Sequence, residues 1–182
     1  MPDYSEWEFQ SNIAAVVIFA AYGEALFLAQ SMEMGMRIFY YLDKNLPTTP
    51  PGKSPRMNLD DEPLADINVN SLGGFIRRFR RELFEEGDIE PEMRSLMRKL
   101  EQAVDDRNRL VHTYWWETSA LFASPEGREK MLTELNQLIT EFRYYDRITR
   151  RLVLTYLAHY HLDPLKITSD KFQGWLSQEK PV

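Results

Sequence analysis

The chain has 182 residues, 43% of them hydrophobic and 13% aromatic, which suits one folded domain around one sizeable core and excludes a disordered chain. It contains no cysteine, so disulfides, thiolate metal sites and cysteine nucleophiles are excluded and a reducing, cytoplasmic setting is expected. A formal net charge of −6 gives no global attraction to nucleic acid, so any RNA-binding role needs a local basic cleft.

Helical spacing dominates from the first residues, and no alternating strand pattern is present. The first helix is expected over Tyr4–Asp43, apolar on nearly every side between Ile13 and Leu28. Such a helix needs cover all round, from the core or from a second subunit. The stretch Ile13–Ala29 is the one membrane candidate. Gly23 and Glu24 interrupt it, and acidic Asp3, Glu6 and Glu8 precede it. A signal peptide starts basic and a membrane span takes about 20 clean apolar residues, so a buried helix and no membrane partner are expected.

Lys44-Asn45-Leu46-Pro47 closes this helix, because proline has no amide hydrogen to continue the ladder. Pro47 to Asn70 carries Pro47, Pro50, Pro51, Pro55, Pro63 and Gly52 and reads as a long surface loop, a kind that tends to be functional or mobile. A second helix is expected from Ser71 to Glu86, ended by Gly87-Asp88. Pro91, flanked by Glu90 and Glu92, opens a third, with Met93, Leu96, Met97, Leu100, Val104 and Val111 on its apolar face, running into Tyr114-Trp115-Trp116. Ser124-Pro125-Glu126 restarts the chain as a fourth helix bearing Met131, Leu135, Leu138, Ile139, Phe142, Tyr145 and Ile148, reaching as far as Tyr160. Asp163-Pro164 ends it. The last twenty residues, with Phe172 and Trp175, read as a tail that folds back or swaps onto a partner. The fold class is therefore all-α: an up-and-down bundle of four main helices over residues 1–161, with the proline-rich loop at 47–70 and a C-terminal tail at 162–182.

The stretch with the most chemical content is Arg107-Asn108-Arg109-Leu110-Val111-His112 on the third helix. A permanent cation, a carboxamide and an imidazole within two turns can grip a phosphodiester and move a proton without a metal. Asn108 and His112 are four apart and share a face; Asp105 lies two turns before His112 on the same side. Arg107 is offset by five positions. Either its long side chain reaches round, or the same helix of a second subunit completes the site. The bland alternative is a solvated charged face of Asp105, Asp106, Arg107 and Arg109, with His112 in an internal contact.

Arg77-Arg78-Phe79-Arg80-Arg81 on the second helix is the densest basic cluster. Arg77, Arg78, Arg80 and Arg81 can track a phosphate backbone while Phe79 stacks on a base, and Arg94, Arg98 and Lys99 extend the patch if they face it. Glu82, Glu85 and Glu86 lie close enough to neutralise the cluster as ordinary surface pairs. Trp115 and Trp116 can stack on a base, but helix packing or a dimer interface explains them at least as well. His159 and His161 point to different sides of a helix, so no metal is expected, and no phosphate-cradling glycine loop, serine elbow or carboxylate pair is present; no cofactor is expected. Met32-Met34-Met36 fits adaptable packing.

Taken in order, these features resemble the HEPN superfamily. A first helix rich in Ala and aromatics is followed by Ser71-Leu72-Gly73-Gly74-Phe75-Ile76 opening a second helix. A charged helix then ends in Arg107-Asn108 and His112, followed by Tyr114-Trp115 and a long fourth helix; the likeness spans about Trp7 to His161. The resemblance implies a HEPN-like helical bundle and a metal-independent endoribonuclease that leaves 2′,3′-cyclic phosphate and 5′-OH ends. It implies that Arg107 and His112 are catalytic, with Asn108 as polar companion that orients His112 or binds phosphate. It further implies a homodimer, an RNA substrate, and a toxin or defence role under an antitoxin or regulatory protein. The loop at 47–70 and the tail depart from the family pattern. Because HEPN domains without activity exist, the alternative is a non-catalytic helical dimer that binds a protein partner or nucleotide.

Overall fold

Residues 6–45, 91–166 and 170–177 are described by a computed structural model, and every regular element among them is helical. The expected second helix, its arginines and the proline-rich loop lie outside the described residues.

Helix α1 spans Glu6–Asn45, within two residues of each expected end. Its inward face is Ile18, Ala21, Ala25, Ala29, Met32 and Met36, a three-to-four spacing that puts one stripe on one side. The opposite stripe is not covered by the described residues. Ile13, Val16, Val17, Ala20 and Phe27 stand exposed, and only 22% of the most apolar stretch of α1 is buried. The described partners thus reach one side of this helix only. By length and composition α1 could also cross a membrane, although Glu24 sits in its middle, paired with Arg143.

Helix α2 spans Pro91–His112, with proline at its first position. It buries Met97, Leu100, Ala103, Val104 and Leu110. Val111, expected inside, is 39% exposed, because the spacing from Leu100 carries the stripe through Val104 to Leu110 instead. The expected continuous run to Trp116 is broken at Thr113, whose φ of −127° leaves the helical range. Its hydroxyl donates to the Glu117 carboxylate at 2.6 Å. A short helix α3, Tyr114–Phe122, follows and turns Tyr114 fully inward. Burial pushes the Tyr114 phenol up to about 12, with nearby Glu134 adding to it, so it stays protonated and donates toward the Met131 carbonyl.

The restart at Ser124 takes the expected form. The Ser124 hydroxyl accepts from the Gly127 backbone N–H at 3.0 Å, and Pro125 fills the first helical position of α4, Pro125–His159. Gly127 passes so close to the Leu121 carbonyl that any Cβ would collide with it, so this turn requires glycine. α4 lies along α1 as the main pairing of the fold and buries Met131, Leu135, Leu138, Ile139, Phe142, Tyr145, Val153 and Leu157. A fully buried side chain of this kind contributes roughly 1.5–3 kcal/mol. The helix ends with His161 at φ 55°, the left-handed turn that lets the Leu162 N–H reach back to the Leu157 carbonyl.

Of the two readings of the tail, the structure has it folding back. After a 3₁₀ turn at Pro164–Lys166, helix α5, Asp170–Leu176, lays Phe172 and Trp175 against Ile38, Tyr41, Leu42, Val153 and Leu157. A buried polar clasp fixes it. Arg150 donates to Asp146 (2.9 Å), to the Ser31 hydroxyl (2.9 Å) and to the Trp175 carbonyl, while its guanidinium lies 4.5 Å from the Trp175 ring. Ser31 donates to Asp146 at 2.7 Å, and the Trp175 indole N–H donates to the Ser31 carbonyl at 3.0 Å. The approach is close enough that a Cβ on Gly35 would meet the Thr149 hydroxyl at 2.6 Å and the Trp175 ring at 2.8 Å.

Candidate functional site

The last two turns of α2 hold Arg107, Asn108 and His112, and the helix geometry sends them in two directions. Arg107 points toward α1. Its Nη2 lies 2.6 Å from Oε2 of Glu33, and its Nη1 donates to Oδ1 of Asn108 at 3.0 Å. Glu33 is nearly buried and shared: its Oε1 also receives Arg37, one turn along α1, from Nε at 3.1 Å and from Nη2. The Nε–H of Arg107 is shielded from solvent and has no acceptor among the described residues. Arg107 itself is 23% exposed at its side chain, so one edge still faces outward.

His112 ends α2 in solvent, without a hydrogen-bond partner among the described residues. No hydrogen bond joins it to Arg107 or Asn108. The five-residue offset thus has the expected consequence within one chain: the cation is turned inward and the imidazole outward. Asp105 is exposed on the same helix. Partial burial holds the Asp106 carboxyl above its ordinary value, with Glu141 and Asp105 adding to this. A 3.0 Å hydrogen bond from Gln102 and the charge of Arg109 oppose it.

Arg109, between the two motif ends, is structural. It reaches Glu117 at 2.6 Å and Glu134 at 2.5 Å and lies 5.5 Å over the Tyr114 ring, tying α2 to α3 and α4. Tyr22 of α1 donates to the Leu110 carbonyl at 3.0 Å, which fixes the end of α2 on α1. Trp115 is committed to packing, 5.0 Å from both Phe19 and Tyr22 and 6.1 Å from Phe122. The open ring is its neighbour Trp116, 85% exposed. Arg94 and Arg98, one turn apart on α2, line a groove with Pro91 and Ser95, while Arg77, Arg78, Arg80 and Arg81 lie outside the described residues. Among the described residues no cluster of three or more His, Asp or Glu side chains has the arrangement to hold a metal.

Sequence spacing shows Glu33 and Arg37 as an ordinary helical pair four residues apart. Nothing in it links Glu33 to Arg107, which lies 74 positions away. The chain matches no known protein family, no curated protein and no solved structure.

Proposed function

We propose that this chain is a cytoplasmic, metal-independent endoribonuclease with a HEPN-like bundle of four main helices, acting as a homodimer and serving as a toxin or defence component under a regulatory partner. The observation that carries the reading is the placement of His112 at the exposed end of α2, without a hydrogen-bond partner among the described residues, one turn from Asn108, which is itself held by Arg107. An imidazole free of structural bonds can accept the proton of an RNA 2′-OH as its oxygen attacks the adjacent phosphorus. It can equally donate one to the departing 5′ oxygen, and such a step is worth about 10²–10⁴-fold. Arg107 stabilises charge developing on the phosphoryl oxygens, and Asn108 binds phosphate or orients His112. Because one chain turns Arg107 and His112 apart, a second α2 facing the first brings each cation to the other chain's imidazole.

The uncovered stripe of α1 supports a second subunit. Ile13, Val16, Val17, Phe19 and Phe27 of α1 stand 43–66% exposed, apolar surface of the kind a subunit interface buries. Through the contact of Phe19 with Trp115, this face of α1 adjoins the start of α3, which follows directly on α2. Val16, 66% exposed, is a point where a charge harms the interface and not the fold. The Val16→Glu protein is expected to run as a monomer by light scattering at micromolar concentration, where the wild type runs as a dimer. A wild-type monomer would sink the dimeric reading.

The rival reading is a non-catalytic helical dimer that binds a protein partner or nucleotide. The locking of Arg107 onto Glu33 favours it. Incubating the purified protein with mixed RNA, with and without EDTA, separates the two. The nuclease gives 2′,3′-cyclic phosphate ends in both reactions and leaves DNA intact, since DNA lacks the attacking hydroxyl. Uncut RNA leaves the binding module.

A further inference from the structure

We propose that Glu33 is a latch on the phosphate site: in the free chain its carboxylate occupies the place that a nucleic-acid phosphate takes between Arg107 and Arg37. The inference rests on the reading of Arg107 as a phosphate contact and adds to it a second cation and a resident competitor.

The geometry of the Arg107 guanidinium carries it. Its side edge, Nε with Nη2, is the fork that receives two oxygens of a carboxylate or phosphate in parallel. Glu33 fills half of that fork: Oε2 meets Nη2 at 2.6 Å, while Nε–H is left shielded and without an acceptor among the described residues. The carboxylate does so because its other oxygen is held by Arg37, through both Nε and Nη2. The carboxylate thus bridges two cations, and among the described residues the Arg107 fork goes partly unmet. An unmet buried donor costs free energy that an additional acceptor recovers. A phosphate diester offers two anionic oxygens, each with several lone pairs, and an inorganic phosphate offers more. Either can meet Nε and Nη2 of Arg107 together once Glu33 has swung aside. The position of Glu33 on α1 gives the latch its second property. A shift of α1 against α2, the two helices on which the proposed dimer surface lies, changes the grip of Glu33 on Arg107. Partner binding and phosphate binding then act on the same carboxylate.

The test uses the full chain and a fluorescently labelled single-stranded DNA oligonucleotide, which binds without being cut. Glu33→Gln keeps the shape of the side chain and removes its charge. It is expected to tighten oligonucleotide binding about ten-fold, the size of one charge-assisted hydrogen bond. The salt dependence of log affinity should steepen by about 0.7 for the added phosphate contact. Adding Arg107→Gln should erase both gains. Unchanged or weaker binding by a folded Glu33→Gln protein overturns the latch and makes Glu33 a scaffold.

A second measurement needs no variant to fold. The Nε–Hε resonance of Arg107 in the wild type should shift as inorganic phosphate or the oligonucleotide is titrated, and the two titrations distinguish a free phosphate from a chain phosphodiester. No movement with either ligand at saturation overturns the proposal. Failure of the latch is distinct from failure of the nuclease. Wild-type protein that cuts RNA while Glu33→Gln gains no affinity defeats the latch alone. Tighter binding by Glu33→Gln in a chain that never cuts defeats the nuclease alone.

Discussion

Replacing His112 by alanine should lower RNA cleavage by about 10²–10⁴-fold, the range for loss of one general acid–base group, and leave the fold intact. The second half of that expectation comes from the surroundings of His112. It is exposed, accepts and donates no hydrogen bond among the described residues, and belongs to neither buried cluster. Surface truncations of this kind usually change stability by no more than about 0.5 kcal/mol. Arg107→Ala offers the contrast. It should cost similar activity and also destabilise, because it leaves the nearly buried Glu33 with Arg37 as its one remaining described ion-pair partner. Cleavage measured on gels beside thermal melting of both variants checks the pair of outcomes. If His112→Ala still cuts, or if it melts like an unfolded chain, the assignment of His112 to proton transfer fails.

The described helices were legible because their signals are local. Apolar spacing placed α1 to within two residues of its ends, and Ser124-Pro125 marked the start of α4 because a hydroxyl acceptor followed by proline satisfies a helix N-terminus by itself. Of the expected α4 core, Met131 through Tyr145 is buried and Ile148 partly so. What escaped were features that depend on a partner from elsewhere in the chain. The break at Thr113 sits in a pattern that stays apolar and helical, and it follows from packing that draws Tyr114 inward against Tyr22. The stripe of Ile13, Val16, Val17 and Phe27 is as apolar as the buried one, so composition alone could not tell which side of α1 was covered. Within the motif, a spacing of five residues correctly set Arg107 and His112 apart in direction, whereas the destination of Arg107 at Glu33 required the tertiary structure. Asp146 and Arg150 look like any solvated pair four residues apart. They are instead buried.

That buried pair gives the largest stability effect expected of any single substitution. Asp146→Ala should destabilise the chain by about 3–5 kcal/mol, because it strands the Arg150 guanidinium, 3% exposed, without a counter-charge. The loss is a large fraction of the roughly 5–15 kcal/mol that holds a typical domain together. Arg150 carries more than its own burial. It also binds the Ser31 hydroxyl and the Trp175 carbonyl and lies over the Trp175 ring, so its displacement releases α5 from α1 and α4. Urea unfolding monitored by tryptophan fluorescence should show the midpoint fall. Limited proteolysis should then cut first within α5, which is protected in the wild type. The double variant Asp146→Leu with Arg150→Met should recover much of the loss, since apolar side chains of similar volume replace a buried ion pair at little or no cost. A small effect in the single variant would mean that water reaches Arg150, and that the tail is held by Phe172 and Trp175 through apolar packing alone.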